Sequence, residues 1–288
     1  MWSLLDLIRD EPRLEVHVAY LTSEPATPFS WRNVHFYPLR LRRNRITGAE
    51  SRSYMAHAVE AVRLTKPHLI HVHGTERAFG ALPLSELSNA RVVVSLQGLL
   101  SVFANCFLQG VLGKEIHKAT SLPERLLGRG LVANHAALAQ RAKTELQIIH
   151  RHSTFLGRTA WDRACVSLLN PDADYIHVDE PLRNAFYEAE PWRLGKHPIR
   201  RLVCSNVVSP PKGGPTLLRA VDLLRAQGHA LQLTVIGGLR KHNGYCRYLL
   251  ALTKELGLSS AVAFAGHVFR GLDIAKHLSE GDLFVSAS

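Results

Sequence analysis

Two α/β domains, each an open parallel sheet covered by helices on both faces, are what the sequence of this 288-residue chain predicts. Three observations carry the prediction. Short β-like runs alternate with helix-period segments along most of the chain. From about residue 200 the alternation becomes a regular β-α-β-α-β-α-β series, the size of a nucleotide-binding half of an open sheet. Between the two series lies AEPWRLGKHPIRR, where Pro191, Gly195 and Pro198 stand among charges as in an inter-domain linker. The expected boundary falls near 190 to 200, dividing the chain into 1–192 and 193–288.

In the first series LEVHVAY alternates as a strand. The segment from Ser53 to Lys66 sets Met55, Val59 and Val62 on one helical stripe, and Pro67 stops it. Strand HLIHVHG follows, then a helix-like interval, then strand VVVSLQG. In the second series RLVCSN reads as a strand and Thr216 to Ala226 as a helix with Leu217, Val221 and Leu224 in register. LQLTVIGG is the next strand. The helix from Gly244 to Gly257 carries Tyr245, Tyr248, Leu249, Leu252 and Leu256 at helical spacing, and strand AVAFAG, a helix around Leu272 to Leu278 and strand DLFVS complete the set. The chain opens on a helix-like segment and stops directly after a strand. Both ends are therefore expected to be incomplete, lacking a first strand and a C-terminal portion.

Composition narrows the function classes. With 46% hydrophobic and 20% charged residues the chain suits a folded protein with a real core, not a disordered one. No apolar run approaches the ~18 uncharged residues of a spanning helix, and Asp6, Arg9, Asp10 and Glu11 interrupt the opening segment, unlike a signal peptide. A cytoplasmic location is expected. Cys106, Cys165, Cys204 and Cys246 are scattered without a C-x-x-C pair and read as reduced thiols. The net charge of +11 favours anionic partners. Arg40, Arg42, Arg43, Arg45 and Arg52 concentrate part of it, as a solvated basic loop or as a surface that meets a phosphate-bearing acceptor or makes peripheral contact with anionic membrane on its inner face. No aromatic platform or nucleic-acid motif accompanies the cluster, so nucleic acid is not an expected partner.

The strongest chemical signal is SNVVSPPKGG before a helix. Lys212 supplies a full charge, Gly213 and Gly214 allow close backbone approach, and the helix start offers free N–H groups. Together these suit a diphosphate; the same residues would also make an ordinary βα turn with an exposed lysine. A Walker loop is excluded because its glycine precedes the lysine, and no G-x-G-x-x-G follows a strand, which argues against a nicotinamide dehydrogenase.

Further candidates come from the first series. His71 and His73 share one face of a strand while His68 does not, a poor metal set. His73, at the carboxyl end, is placed to hydrogen-bond a sugar or acceptor, or is a satisfied core or surface histidine. Gln97-Gly98 ends the next strand and offers an amide to sugar hydroxyls, or is a turn. In GRTAWD, Arg158 suits phosphate or carboxylate and Asp162 suits hydroxyls, although an internal Arg158–Asp162 pair is equally physical. Glu180 and Arg183 lie at a predicted helix start, where capping competes with catalysis. No G-x-S-x-G or H-E-x-x-H is present, and isolated carboxylates cannot be paired from sequence as a glycosidase would require.

Lys212-Gly213 with its helix, then LTVIGG, LGLSSAVAFAGHV and LSEGDLFVSAS, resemble in order and spacing the donor-nucleotide domain of retaining family 4 glycosyltransferases. HLIHVHG, VVVSLQG and DADYIHVDEPLRNAFYE resemble strands and the closing segment of that family's N-terminal domain, and FLGRTAWDRACVSLLNPDADY resembles a bacterial polysaccharide-assembly subgroup. The resemblance implies a GT-B fold, two Rossmann-like doubly wound domains facing a cleft, with an acceptor-side domain at 1–192 and a nucleotide-sugar donor domain at 193–288. It implies transfer of a sugar from a nucleoside-diphosphate sugar to an acceptor hydroxyl with retention, in polysaccharide or glycolipid assembly. The donor is a substrate, no cofactor or metal is expected, and the acceptor would be a glycan or lipid-linked. Lys212 and His73 would be catalytic. Asn206, Lys212, Gly213, Gly237, Gly238, Gly266, His267 and Val268 would line the donor, and Gln97, Gly98, Arg158, Asp162, Glu180 and Arg183 the acceptor or sugar. Two departures stand out. Asn206 occupies the place of a second phosphate-binding Arg, and the family's glutamate pair, expected after LFVSAS, is absent. The alternative is a catalytically inactive GT-B-like fragment or binding protein.

Overall fold

The computed structural model describes residues 4, 5, 8, 10–42, 53–82, 90–193, 195, 197–240 and 243–288. It divides into two compact units, Met1–Asn105 with Ala136–Pro181, and Cys106–His135 with Leu182–Ser288. The sequence placed one break at 192/193. The observed units are instead discontinuous, and residues 182–192 go with the second; Trp192 donates its indole N–H to the Gly281 carbonyl at 2.9 Å within it.

The first unit holds two sheets. Strands β1 (Val16–Thr22) and β3 (Val34–Arg40) are parallel, and the short β2 (Phe29–Trp31) runs antiparallel on the outside of β3. Helix α1 (Tyr54–Thr65) ends where Lys66 turns left-handed (φ 44°) ahead of Pro67, because the residue before proline disfavours the helical region. Four parallel strands follow in spatial order, β4 (Leu69–His73), β5 (Arg91–Ser95), β6 (Thr154–Gly157) and β7 (Asp174–His177). Of the expected helix-like interval between β4 and β5, Ala78–Ala81 forms a single 3-10 turn, and 83–89 lie outside the described residues. Helices α2 (Leu100–Cys106), α4 (Leu131–Arg151) and α5 (Ala160–Leu169) intervene, with α3 (Leu122–Leu126) in the chain between α2 and α4. Val72, Val94, Phe155, Ile148, Ile149 and Val166 form the buried core between this sheet and its helices. A second cluster, Leu39, Tyr54, Ala58 and Leu82, takes in Leu21, Ile70 and Val92 and ties the two sheets to α1.

The second unit has a four-stranded parallel sheet in the order β10-β9-β8-β11, made of β8 (Arg201–Ser205), β9 (Gln232–Ile236), β10 (Val262–Gly266) and β11 (Leu283–Phe284). Its helices are α6 (Asn184–Glu188), α7 (Gly214–Ala226), α8 (Gly244–Glu255) and α9 (Gly271–Ser279). The positions that periodicity put on the apolar stripes, among them Leu217, Val221, Tyr245, Tyr248, Leu249 and Leu252, are buried against Leu202, Leu233 and Val235. Residues 106–135 belong here for concrete reasons. Val111, Ala119 and Leu131 enter that core, Glu115 pairs with Arg219 at 2.7 Å, and Glu124 accepts the Gly244 N–H at 3.0 Å while capping α3. Burial alone would raise the Glu115 carboxyl pKa, but hydrogen bonds from Arg219 and Tyr248 outweigh it and hold it below the ordinary value. Cys204 and Cys246 are buried and all four cysteines are free thiols.

Candidate functional site

In a parallel sheet, ligands collect at the carboxyl ends of the strands, where loops are free of the packing that the helices impose elsewhere. Both units place the candidate residues there.

In the first unit the loops after four successive strands converge. His73 closes β4, Gln97 follows β5, Arg158 follows β6 and Glu180 follows β7. Arg158 Nη1 donates to Glu180 at 2.7 Å and its Nη2 to the Gln97 carbonyl at 3.4 Å. His73 faces the same charges: desolvation chiefly lowers its pKa, Glu180 opposes this and Arg158 adds to it. His71 and His73 lie on one face as the alternation requires, their rings edge to face at 5.8 Å, and desolvation also depresses His71, which meets Ser95 Oγ at 2.6 Å. Gly98 carries no side chain against Phe103, whose ring would lie 3.2 Å from an added Cβ.

Asp162 has a different surrounding from Arg158. It is the third residue of the capping box that starts α5, accepting the Thr159 N–H at 3.0 Å and the Arg158 N–H at 3.3 Å. Tyr175 donates its hydroxyl to Asp162 at 2.5 Å. Burial pushes the Asp162 carboxyl up, but these bonds prevail and hold it below its ordinary value, while the Tyr175 phenol is pushed up to about 12, first by burial and then by Asp162. The guanidinium of Arg158 therefore pairs with Glu180 across loops, not with Asp162 along the helix turn. Arg183 belongs to the second unit, where it precedes α6, reaches the Phe269 carbonyl at 3.4 Å and lies over the Phe186 ring.

In the second unit the loops after β8, β9 and β10 are stitched side by side. The Asn206 N–H donates to the Ile236 carbonyl at 2.7 Å, and Gly237 N–H to the Gly266 carbonyl at 2.9 Å. Asn206, Gly237 and Gly266 all have positive φ (59°, 142° and 77°), which carries the chain sharply out of the sheet at each strand end. A 3-10 turn, Pro210–Lys212, then delivers Lys212 to the start of α7, where Gly214 and Thr216 carry N–H groups of the first turn and Pro215 has none. Among the described residues no carboxylate comes within ion-pairing distance of Lys212, unlike Arg201 or Arg219. Gly238 lies against His267. A concavity of about 560 Å³ is lined by His267, Val268, Phe269 and Arg270 and by the face of α9 bearing Asp273 and His277. The Phe269 ring is 78% exposed and stands 4.1 Å, centroid to centroid, from that of His267.

Three contributors escaped the sequence reading. Phe269 follows the recognised Gly266-His267-Val268 and is an exposed aromatic in a loop, a signal that was available. Glu76, whose carboxylate lies over Gly74, has its pKa raised chiefly by burial and further by Glu145. Glu145, inside a long helix, carried no local signal. Among the described residues no three His, Cys, Asp or Glu side chains gather as a metal site would need, and no helix is long and apolar enough to cross a membrane.

The fold is that of the GT-B glycosyltransferases, two α/β units built on parallel strands. Solved structures with that architecture are similar over most of this chain. Sucrose-phosphate synthase from Thermosynechococcus elongatus matches with a TM-score of 0.61 at 15% identity, covering 94% of this chain and 64% of that one. HepE from Anabaena, solved with UDP and glucose, matches at 0.56 and 15% identity over 88% of this chain and 61% of its own. TarM, from S. aureus, matches at 0.55 and 12% identity over 86% and 45%. This chain thus spans under two thirds of the length of each, and at these identities the likeness is one of fold. Scanned against known family models the sequence matches none, and a search of curated proteins returns no significant match.

Proposed function

We propose that this chain is a glycosyltransferase of the retaining, family 4 type that moves a sugar from a nucleoside-diphosphate sugar to an acceptor hydroxyl in polysaccharide or glycolipid assembly. The observation that carries the reading is Lys212, a cation without a carboxylate partner among the described residues, set at the start of α7 beside the Asn206, Gly237 and Gly266 loops. As the bond between the sugar and the diphosphate breaks, charge grows on the leaving phosphate. Lys212 and the first-turn N–H groups of α7 stabilise it there without reorganisation. His267, Val268 and the exposed Phe269 ring offer a wall for the base. That similar folds bind UDP and glucose supports this assignment.

The acceptor-side role falls to His73, Gln97 and the Arg158–Glu180 pair. Desolvation keeps His73 largely neutral near pH 7, so it meets a hydroxyl as a hydrogen-bonding partner and not as a fixed charge. The Asp162 carboxylate, occupied by its cap and by Tyr175, acts by fixing the loop that bears Arg158. Arg183 is assigned to the donor side through Phe269. The reading includes a cytoplasmic location and a glycan or lipid-linked acceptor. Membrane contact through Arg40 to Arg52 belongs to the same proposal; residues 43–52 lie outside the described residues.

Calorimetry with a panel of UDP-, GDP- and ADP-sugars tests the assignment. At least one is expected to bind, and Lys212→Ala is expected to weaken that binding about 10- to 100-fold, the effect of losing one charge-assisted contact. A wild-type chain that binds no member of the panel, or a Lys212→Ala variant with unchanged affinity, refutes the donor site. Binding without turnover would instead favour the inactive binding protein.

A further inference from the structure

Glu145 lies in α4 and is completely buried. Its Oε2 accepts the Thr75 hydroxyl at 2.5 Å and the Leu100 N–H at 3.0 Å, and its Oε1 accepts the Ser101 N–H at 2.8 Å. Thr75 stands two residues beyond His73; Leu100 stands three beyond Gln97. One carboxylate therefore grips the loop after β4 and the loop after β5 together.

We infer that Glu145 is a positioning residue that holds the His73 loop and the Gln97 loop in fixed register for the acceptor side of the reaction. The inference rests on the acceptor-side reading above. Helix α2 begins behind Leu99, which has no side-chain oxygen to cap it, so its first N–H groups would otherwise be orphaned in the interior. Glu145 satisfies two of them from a different element, and the partial positive charge of the helix start favours a carboxylate there. A local Ser or Asp cap would serve the helix equally well but would leave the β4 loop held to the β5 loop only by the long contact from the Thr75 hydroxyl to the Gly98 carbonyl at 3.5 Å. The Thr75 bond is what converts a cap into a clamp. Two further links lie beside it: Gly74 N–H donates to the Ser95 carbonyl at 2.9 Å, and His71 meets Ser95 Oγ. Both close the strand ends below the loops, and the direct Thr75–Gly98 contact is the longest at 3.5 Å, so Glu145 supplies the short tie between the two loops.

The test compares Glu145→Gln and Thr75→Val with wild type in the full chain. NMR would follow the His73 imidazole titration and the amide exchange of Leu100 and Ser101. Calorimetry with UDP would report the donor side. His73 is held below its ordinary pKa mainly by desolvation, with His71, Arg158 and Glu180 as its charged or titratable neighbours. Loosened loops hydrate it, so its midpoint should move up toward ~6.5 in both variants. Exchange at Leu100 and Ser101 should speed at least about 10-fold in Glu145→Gln, with the β5 amides unchanged. UDP affinity should stay at the wild-type value. A folded Glu145→Gln with lowered melting temperature but an unmoved His73 midpoint overturns the proposal and leaves Glu145 a stability residue. Should Glu145→Gln not fold, Thr75→Val decides by the same His73 shift or its absence. A wild type that fails to bind UDP, beside variants that shift His73, would sink the donor reading and spare the clamp.

Discussion

Gly213→Ala is expected to lower the melting temperature by about 5–10 °C, corresponding to ~2–4 kcal/mol, and to abolish whatever affinity for nucleoside diphosphates depends on Lys212. Gly213 sits at φ +63°, a conformation that an L side chain adopts at a cost of roughly 1 kcal/mol. The larger part is steric. An added Cβ would land on the carbonyl oxygen of Ala287 and come within 2.7 Å of its Cβ. That oxygen is backbone, so it moves only if its segment moves, and the next residue is also confined, though less tightly, Gly214 lying against the Val207 carbonyl and Leu249. Either the turn that presents Lys212 or the segment after β11 must shift. Gly266→Ala supplies the control, since it has φ +77° but open space around its Cβ position. It should cost only about 1 kcal/mol, the conformational share. Thermal unfolding and UDP calorimetry on the two variants measure the difference; equal losses would mean that packing on Ala287 contributes nothing.

That glycine shows how far sequence reached. Lys-Gly-Gly before a helix was legible as an anion-binding turn, and the freedom of glycine was read as room for a phosphate. The structure supplies a second demand, from Ala287, 74 residues along the chain, that no local pattern displays. The same division runs through the molecule. Helices from 200 onward were legible because each buries one face, and burial imposes a period of about 3.6 on Leu217, Val221 and Leu249. The strands, buried on both faces, were legible as short apolar runs such as Leu202-Val203-Cys204, and the His71–His73 face followed from the alternation of side chains along a strand. Residues 106–135 were not legible as part of the second unit, since what holds them there is the pairing of Glu115 with Arg219 and of Glu124 with Gly244, and composition marks neither as a partner. For Arg158 an internal pair with Asp162 stood in the sequence as an alternative to ligand binding, but Thr159 and Tyr175 claim that carboxylate and the guanidinium goes to Glu180. Local spacing identifies caps well; it cannot rank a local partner against one brought in by the next strand.

Asp282→Asn is expected to destabilise the second unit by about 2–4 kcal/mol near neutral pH and to flatten its acid denaturation. Asp282 is buried at the start of β11 and accepts the Arg200 and Arg201 N–H groups at 2.8 Å each, with the Arg201 guanidinium at 2.9 and 3.2 Å. Its own N–H donates to the Arg201 carbonyl at 2.7 Å. These bonds, the backbone ones foremost, hold its carboxyl far below the ordinary carboxylate range. A depressed pKa in the folded state contributes stability that is present above the unfolded value of about 3.9 and is lost as pH falls through and below it. An asparagine turns one acceptor oxygen into a donor facing donors, so the deficit appears at neutral pH and shrinks on acidification. Urea unfolding of both chains near neutrality and at about pH 3 should show the gap narrowing; a gap as wide in acid would mean that shape, not charge, does the holding. The consequence extends to the site. Val285 N–H pairs with the Val203 carbonyl just beyond Asp282, and two residues later Ala287 packs on Gly213. Loosening this pin frees the wall against which the Lys212 turn is set, so Asp282→Asn should weaken UDP binding without removing any group that touches it.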